Sequence, residues 1–300
     1  MAGLNTRLAD LKIKFKEYFT AMPDVVINSP GRAEIIGNHT DYNLGYALGC
    51  AISPSTLGLF KKRLDKKIIL RSTHPDFPDQ VKFSLDQLLR DKKIKWGNYA
   101  RGVVNELLKL NYPLSGAQIL VDTNFSTSGG LSSSAALELC LAYGLMALAK
   151  QPIDPETIAH ACQRAENSNL VMSPCGFLDQ AVITFAGKDK MVLLDFFPPV
   201  KTKLITASIS KLSVKRVLDA VAALENNNVV KFGQLLNQSG KSALDLYGLD
   251  ENTPELRYLM ESAQKLDGVL GARNMGGGFS AIILALVKFD RFFNSFHRFF

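Results

Sequence analysis

Between residues 126 and 140 the chain reads STSGGLSSSAALELC, two glycines and three consecutive serines set against an alanine- and leucine-rich run. Glycine accepts backbone angles that other residues resist, so Gly129 and Gly130 suit a tight turn. Ala135, Ala136, Leu137 and Leu139 then begin a strong helix former that continues to Ala149. The start of such a helix carries unpaired N–H groups and a partial positive charge, and it attracts an anion when small residues let one approach. A single serine would cap the helix. Three after Gly-Gly suit a phosphate better, because hydroxyls add hydrogen bonds and one can reach a metal. Two more stretches are polar and glycine-rich, GRAEIIGNHTDYNLG at 31–45 and GARNMGGGF at 271–279. Taken singly, Arg32 reads as a surface arginine, His39 as a hydrogen-bonded core histidine and Asp41 as a turn cap. The joint order of the three stretches is what points to a site.

The elements that must position these residues are legible in outline. Leu4, Leu8, Leu11, Phe15 and Phe19 fall near helical spacing, which predicts an amphipathic helix over 4–20. Strands are expected at Val25–Asn28, YALGCAIS, TLGLFKKR and KKIILRST, the last two joined at a lysine-rich turn, and at GAQILVD. KWGNYARGVVNELLKL reads as a helix, a long helix covers 131–149, and QPIDP opens another over 155–168 with its proline in place. SPCGFLDQ is expected to be a loop leading to two strands, AVITFAG and KMVLLDF. Pro198-Pro199 mark a break, and helices at 211–225, 229–243 and 254–266 precede a last strand, SAIILALVKF. Strands and helices mixed without regular βαβ spacing predict an α+β fold rather than a doubly wound sheet.

Composition narrows the partners. A formal charge of +7 suits anionic small molecules, but the lysines are scattered and no nucleic-acid reading motif accompanies them. Cys50, Cys140, Cys162 and Cys175 are far apart with no Cys-x-x-Cys pair, so reduced, packed thiols are expected. The first 19 residues are charged and helix-periodic rather than a signal peptide, and no apolar run approaches a membrane span, which together predict a cytoplasmic protein.

With these stretches in hand, the chain resembles the galactokinase branch of the GHMP small-molecule kinases from about residue 20 to about residue 288. SPGRAEIIGNHTDYNLGYAL is similar to the branch's signature, GGLSSSAALE to the family's phosphate loop and GARNMGGGF to its third motif, and WGNYARGV and CGFLDQ match two further family stretches. The resemblance implies a two-domain α+β kinase, here 1–175 and 176–300, with the active site in the interdomain cleft, phosphorylating the anomeric hydroxyl of galactose or a similar sugar. It implies Asp179 as the base and Arg32 as the cation beside it. Asn38, His39, Asp41 and Gly176 would hold the sugar. Gly129, Gly130, Ser132, Ser133 and Ser134 would hold the ATP phosphates, Trp96 and Tyr99 would border the base pocket, and Ser134 and Glu166 would bind Mg2+. Trp96 reads equally as a core anchor, and Glu166 equally as a solvated helix residue beside Arg164, because the Glu166-to-Asp179 spacing is one residue longer than usual. No obligate protein partner, nucleic acid or membrane is implied, and a monomer is expected.

The match departs from the family at Asn38, normally glutamate, and at Ser128, normally glycine. It departs again after Asp195, where a strand and a tyrosine-bearing segment are expected to be missing, at Asn274-Met275 and Ser280-Ala281, and at the end, before the family's final strand. Two readings stay open on the sequence: an ATP-dependent sugar 1-kinase, and a weak or inactive sugar or nucleotide sensor of the same family.

Overall fold

The computed structural model describes all residues except 1, 38, 39, 126–129, 189, 206–217, 252, 276–281 and 289–300. Among the described residues the order is α1 (Ala2–Phe19), β1 (Val25–Ile36), β2 (Tyr46–Lys62), β3 (Lys67–Ser72), β4 (Val81–Ser84), α2 (Gly97–Lys109), β5 (Ala117–Thr123) and α3 (Ser133–Ala149). There follow α4 (Pro155–Asn167), α5 (Leu178–Phe185), β6 (Met191–Asp195), β7 (Lys201–Ile205), α6 (Leu218–Glu225), α7 (Val229–Tyr247), α8 (Glu255–Gln264), β8 (Val269–Asn274) and β9 (Ile283–Val287). The chain forms two compact units that interleave in sequence rather than parting at a single cut: Met1–Gly31, Ile52–Ser126 and Ser132–Thr184 make one, and Arg32–Ala51, Thr127–Leu131 and Phe185–Phe300 the other.

In the first unit the strands run in the order β4-β3-β5-β2, with β5 parallel to β3 and antiparallel to β2. β5 therefore lies between β2 and β3, and the lysine-rich turn that links those two does not close a hairpin. Alternation along β2 explains how the sheet is covered. Leu57 and Leu59 point to one face, where they join Leu11, Phe15 and Phe19 of α1 in one buried cluster. Gly58 and Phe60 point to the other, where α3 lies so close that a side chain on Gly58 would meet the Cys140 sulfur and one on Gly144 would strike the Phe60 ring. A strand buried on both faces reads as a near-continuous apolar run, which is how TLGLF is written. Behind this layer α2, α3 and α4 pack on one another.

In the second unit β2 begins by pairing antiparallel with β6, which in turn pairs with β7, Asp195 opposite Lys201. β8 and β9 form a separate antiparallel pair against α7 and α8. Arg273 of β8 is fully buried, with a nitrogen 3.6 Å from the Glu34 carboxylate on β1 and others donating to backbone carbonyls of Ile35 and Asn274.

Four sequence expectations are corrected. YALGCAIS and TLGLFKKR are one strand, β2, and β1 runs eight residues beyond Asn28, to Ile36. Residues 178–185 form helix α5 where a strand was expected over AVITFAG. Its Val182, Ile183 and Thr184 favour strands, but an apolar run this short carries no decisive period, and burial of Leu178, Ala181 and Val182 on one side settles it. The stretch after Asp195 does carry another strand, β7, with a cis Pro198-Pro199 bond in the turn before it. The expected helix over 211–225 starts at Leu218 among the described residues, and residues 276–279 of the third motif, with Ser280-Ala281, lie outside them. No described helix is long and apolar enough to cross a membrane, and all four cysteines are free thiols.

The contact between α3 and β2 gives a direct check on this packing. Gly144→Ala forces its methyl into a Phe60 ring that is itself fully buried. The expected loss is about 1–3 kcal/mol of unfolding free energy, read as a lower urea midpoint at constant slope. An unchanged midpoint would mean that the helix does not press on the sheet here.

Candidate active site

Helix α3 starts in an unusual way. Ser132, at its N-cap, has φ 57° and ψ 52°, a left-handed conformation that glycine adopts freely and a residue with a Cβ adopts at a cost of about 1 kcal/mol or more. Its side chain makes no capping hydrogen bond. The hydroxyl instead donates to Oδ2 of Asp179 at 2.5 Å, across 47 residues of chain. The expectation that these serines merely cap the helix is thereby excluded for Ser132.

Asp179 sits in the first turn of α5, where a carboxylate is favoured by the helix dipole, and not in a loop as expected. The start of α5 is fixed by the end of α4. The Asn167 side chain accepts from the Cys175 backbone N–H and donates to the Cys175 carbonyl, both at 3.0 Å, and the Ser173 N–H donates to the Glu166 carbonyl. His160 of α4 stacks on Phe177 with ring centroids 3.8 Å apart and planes 9° apart. Gly176 is half-buried between these two anchors. The residues 168–177 thus absorb the long Glu166-to-Asp179 spacing without moving either residue away from α3.

Glu166 is not a solvated residue: it is 5% exposed, and the Ser134 hydroxyl beside it favours its charged form. Arg164, its supposed neighbour, pairs with Glu106 at 3.0 Å. The Gln180 amide donates to Glu166 at 3.0 Å and to Glu138 at 3.3 Å, and Ser173 and Cys175 lie 3.4 Å and 3.5 Å from the Glu166 oxygens. Glu138 of α3 is fully buried, and burial first, the Glu166 charge second, push its carboxyl well above the usual range. Oε1 of Glu138 has no hydrogen-bond partner among the described residues. Burial also raises Glu166, against the opposing hydrogen bond from Ser134. Tyr99 reaches the same cluster. Its phenol bonds Ser173 and is pushed up to about 12, mainly by burial and then by the Glu166 charge.

Sequence reasoning missed Glu138 and Gln180. The signal was present for Glu138, the one charged residue in an otherwise apolar helix, SSAALELCLAYGLMALA. Gln180, beside Asp179, carried none.

The donor set is hard oxygen: one hydroxyl and one carboxylate in contact, next to a second carboxyl. No group of three or more His, Cys, Asp or Glu able to hold a metal exists among the described residues. Two oxygen donors fit a cation that keeps waters and takes its remaining ligands from phosphates, as Mg2+ does, and they do not form a cage for a tightly held ion.

The other expected site residues are distributed as follows. Arg32, 5% exposed, donates from its guanidinium to the Gly130 carbonyl and from its backbone to the Leu131 carbonyl at 3.1 Å, so it is tied to the phosphate loop and is no surface arginine. Asp41 is half-buried in a turn braced by Thr40, whose hydroxyl donates to the Gly37 and Tyr46 carbonyls. Ser133 opens α3, beside Ser134. Trp96 packs its ring 5.8 Å from Phe77, and its indole N–H is buried without an acceptor among the described residues. Asn38, His39 and Gly129 lie outside the described residues.

Residues 98–187 match the GHMP kinases N terminal domain, 220–294 the GHMP kinases C terminal domain, and 13–62 the galactokinase galactose-binding signature. The galactokinase of Staphylococcus carnosus is 30% identical, over 95% of this chain and 90% of that protein. That alignment runs to 354 positions against the 300 residues of this chain, so at least 54 of them are gaps here. A crystal structure of Lactococcus lactis galactokinase complexed with galactose superimposes with a TM-score of 0.85 and 29% identity, covering 96% of this chain and 92% of that one. The mevalonate kinase of Methanococcus jannaschii, at 19% identity and a TM-score of 0.65 over 91% of this chain and 94% of that one, shares the fold alone. The signature at 13–62, the two kinase domains and the relatives that span nearly the whole chain make it a member of the galactokinase branch of the GHMP kinase family.

Proposed function

We propose that the protein is an ATP-dependent sugar 1-kinase that moves the γ-phosphoryl group of ATP onto the anomeric hydroxyl of galactose or a galactose-configured sugar. Within the family, one observation carries the reading: Ser132, at the start of α3, bonds the candidate base Asp179, and the first turn sets Ser134 beside the candidate metal ligand Glu166. A sugar or nucleotide sensor has no need of a base held at the phosphate end of the site. Galactose stands first because the Lactococcus relative was solved with it and because 13–62 matches the galactose-binding signature.

As the anomeric oxygen bonds to the γ-phosphorus and the bond to the β,γ-bridging oxygen breaks, Asp179 takes the hydroxyl proton and ADP leaves. Arg32 supplies a fixed positive charge for the transferred group. Gly129, Gly130 and Ser133 hold phosphate oxygens through the loop backbone and the helix start. Ser134 and Glu166 would hold Mg2+, which when bound neutralises phosphate charge. By the family resemblance, Asn38, His39, Asp41 and Gly176 would hold the sugar, Asn38 offering a donor and an acceptor where the family's glutamate offers charge. Trp96 and Tyr99 would serve the nucleotide base.

The reading is tested by mass spectrometry of the products formed from Mg-ATP with galactose, its 2-acetamido analogue, glucose and arabinose. A sugar 1-phosphate is expected from a galactose-configured sugar, with turnover reduced about 10²- to 10⁴-fold in Asp179→Asn. No product from any sugar sinks the kinase, and full turnover in a folded Asp179→Asn sinks the base. In the same assay Glu166→Gln should move half-saturation to higher magnesium; an unchanged magnesium titration would remove Glu166 from the metal.

The acid cluster predicts a pH dependence of its own. Folding lifts the Glu138 carboxyl above its unfolded range, so the folded chain keeps a proton that the unfolded chain releases. That contribution to stability is complete below the ordinary glutamate range and is lost as pH rises through the raised value. Without metal or nucleotide, the melting temperature should fall as pH rises above the ordinary glutamate range, and Glu138→Gln, which keeps shape and hydrogen bonding, should flatten the fall. Equal slopes in the two proteins would place the proton elsewhere.

A further inference from the structure

We propose that Ser132 is a positioning residue for Asp179, its hydroxyl aligning the base, rather than a ligand of the ATP phosphates; the inference rests on the kinase reading above. Three observations carry it. The hydroxyl donates directly to Asp179 Oδ2. It does not cap α3, the ordinary use of a serine at that position. The backbone at Ser132 is left-handed, where glycine would fit at lower cost, so the side chain is what the position supplies. Ser132 is only 8% exposed, and Phe177 and Leu178, which lead into the turn that carries Asp179, are buried as well, so the bond joins two anchored helix starts.

A hydroxyl donated to one oxygen of a carboxylate fixes the rotation of the whole group. It thereby sets the direction in which the other oxygen meets the substrate hydroxyl, and reaction rates fall steeply when that direction is lost. Ser132 touches neither the sugar nor the proton in flight; it acts through Asp179. Ser133 and Ser134 keep the roles given above.

The arrangement makes a clean substitution possible. Ser132→Gly removes the hydroxyl while the positive φ becomes easier to hold, so the fold is retained, and Ser132→Ala serves as the second variant with a Cβ in place. Two quantities are read for each: turnover with saturating sugar and Mg-ATP, and the dissociation constant of ADP by calorimetry. The expected result is a kcat about ten- to a hundredfold lower, as for loss of one hydrogen bond to a charged group, with ADP affinity within about twofold of the wild type. In an Asp179→Asn background, adding Ser132→Gly should change the residual rate by less than about twofold, because a residue that acts through Asp179 has nothing left to act on. Weakened ADP binding with kcat retained, or the same fold-loss in both backgrounds, would overturn the assignment and return Ser132 to the phosphates. A wild-type chain that transfers no phosphate to any sugar overturns the kinase reading itself, and with it the base that Ser132 is said to align.

Discussion

Burying the Glu138 carboxyl of α3 against Glu166 of α4 costs several kcal/mol unless protons, donors or a cation compensate, and the surrounding structure is arranged to do so. Burial and the Glu166 charge favour the protonated form of Glu138. Gln180 of α5 donates to both acids, and the Ser134 hydroxyl at the helix start of α3 favours a charged Glu166. The three helices therefore meet on one polar network. Such a network is unfavourable when half-satisfied, so it favours one arrangement of α3, α4 and α5 over its neighbours.

That arrangement sets the chemistry. Asp179 and Gln180 are adjacent, yet one bonds the Ser132 hydroxyl and the other the buried acids. The first turn of α5 is thus held from two sides, by Ser132 at the start of α3 and by the buried acids Glu138 and Glu166, and the clamp of Asn167 on Cys175 with the His160–Phe177 stack holds that turn in place. Under the proposed function, Ser134 and Glu166 would hold Mg2+, a cation that keeps waters and takes further ligands from phosphates.

The sequence made the order of the motifs legible because glycine, serine and the paired acids must sit at fixed places in the chain. Helices α1, α3 and α4 were readable from period and caps. What remained hidden was decided by contacts remote in sequence. Residues 181–185 favour strands locally and become helix because α5 must bury Leu178, Ala181 and Val182. The insertion of β5 between β2 and β3 leaves no mark on the turn that joins them. The direction of the Ser132 hydroxyl depends on a backbone angle that the three serines do not announce. Glu166 looked ambiguous because a loop one residue longer cannot be distinguished by spacing from a displaced one; its burial and the Gln180 hydrogen bond resolve it.

The most direct test of the account is a crystal structure of the protein with Mn2+ and a non-hydrolysable ATP analogue, with anomalous data to locate the metal. The account predicts a manganese peak about 2.2 Å from both Ser134 Oγ and a Glu166 oxygen, bridged to the phosphates, with Ser132 still on Asp179. A metal bound to the phosphates alone, away from Ser134 and Glu166, would contradict it.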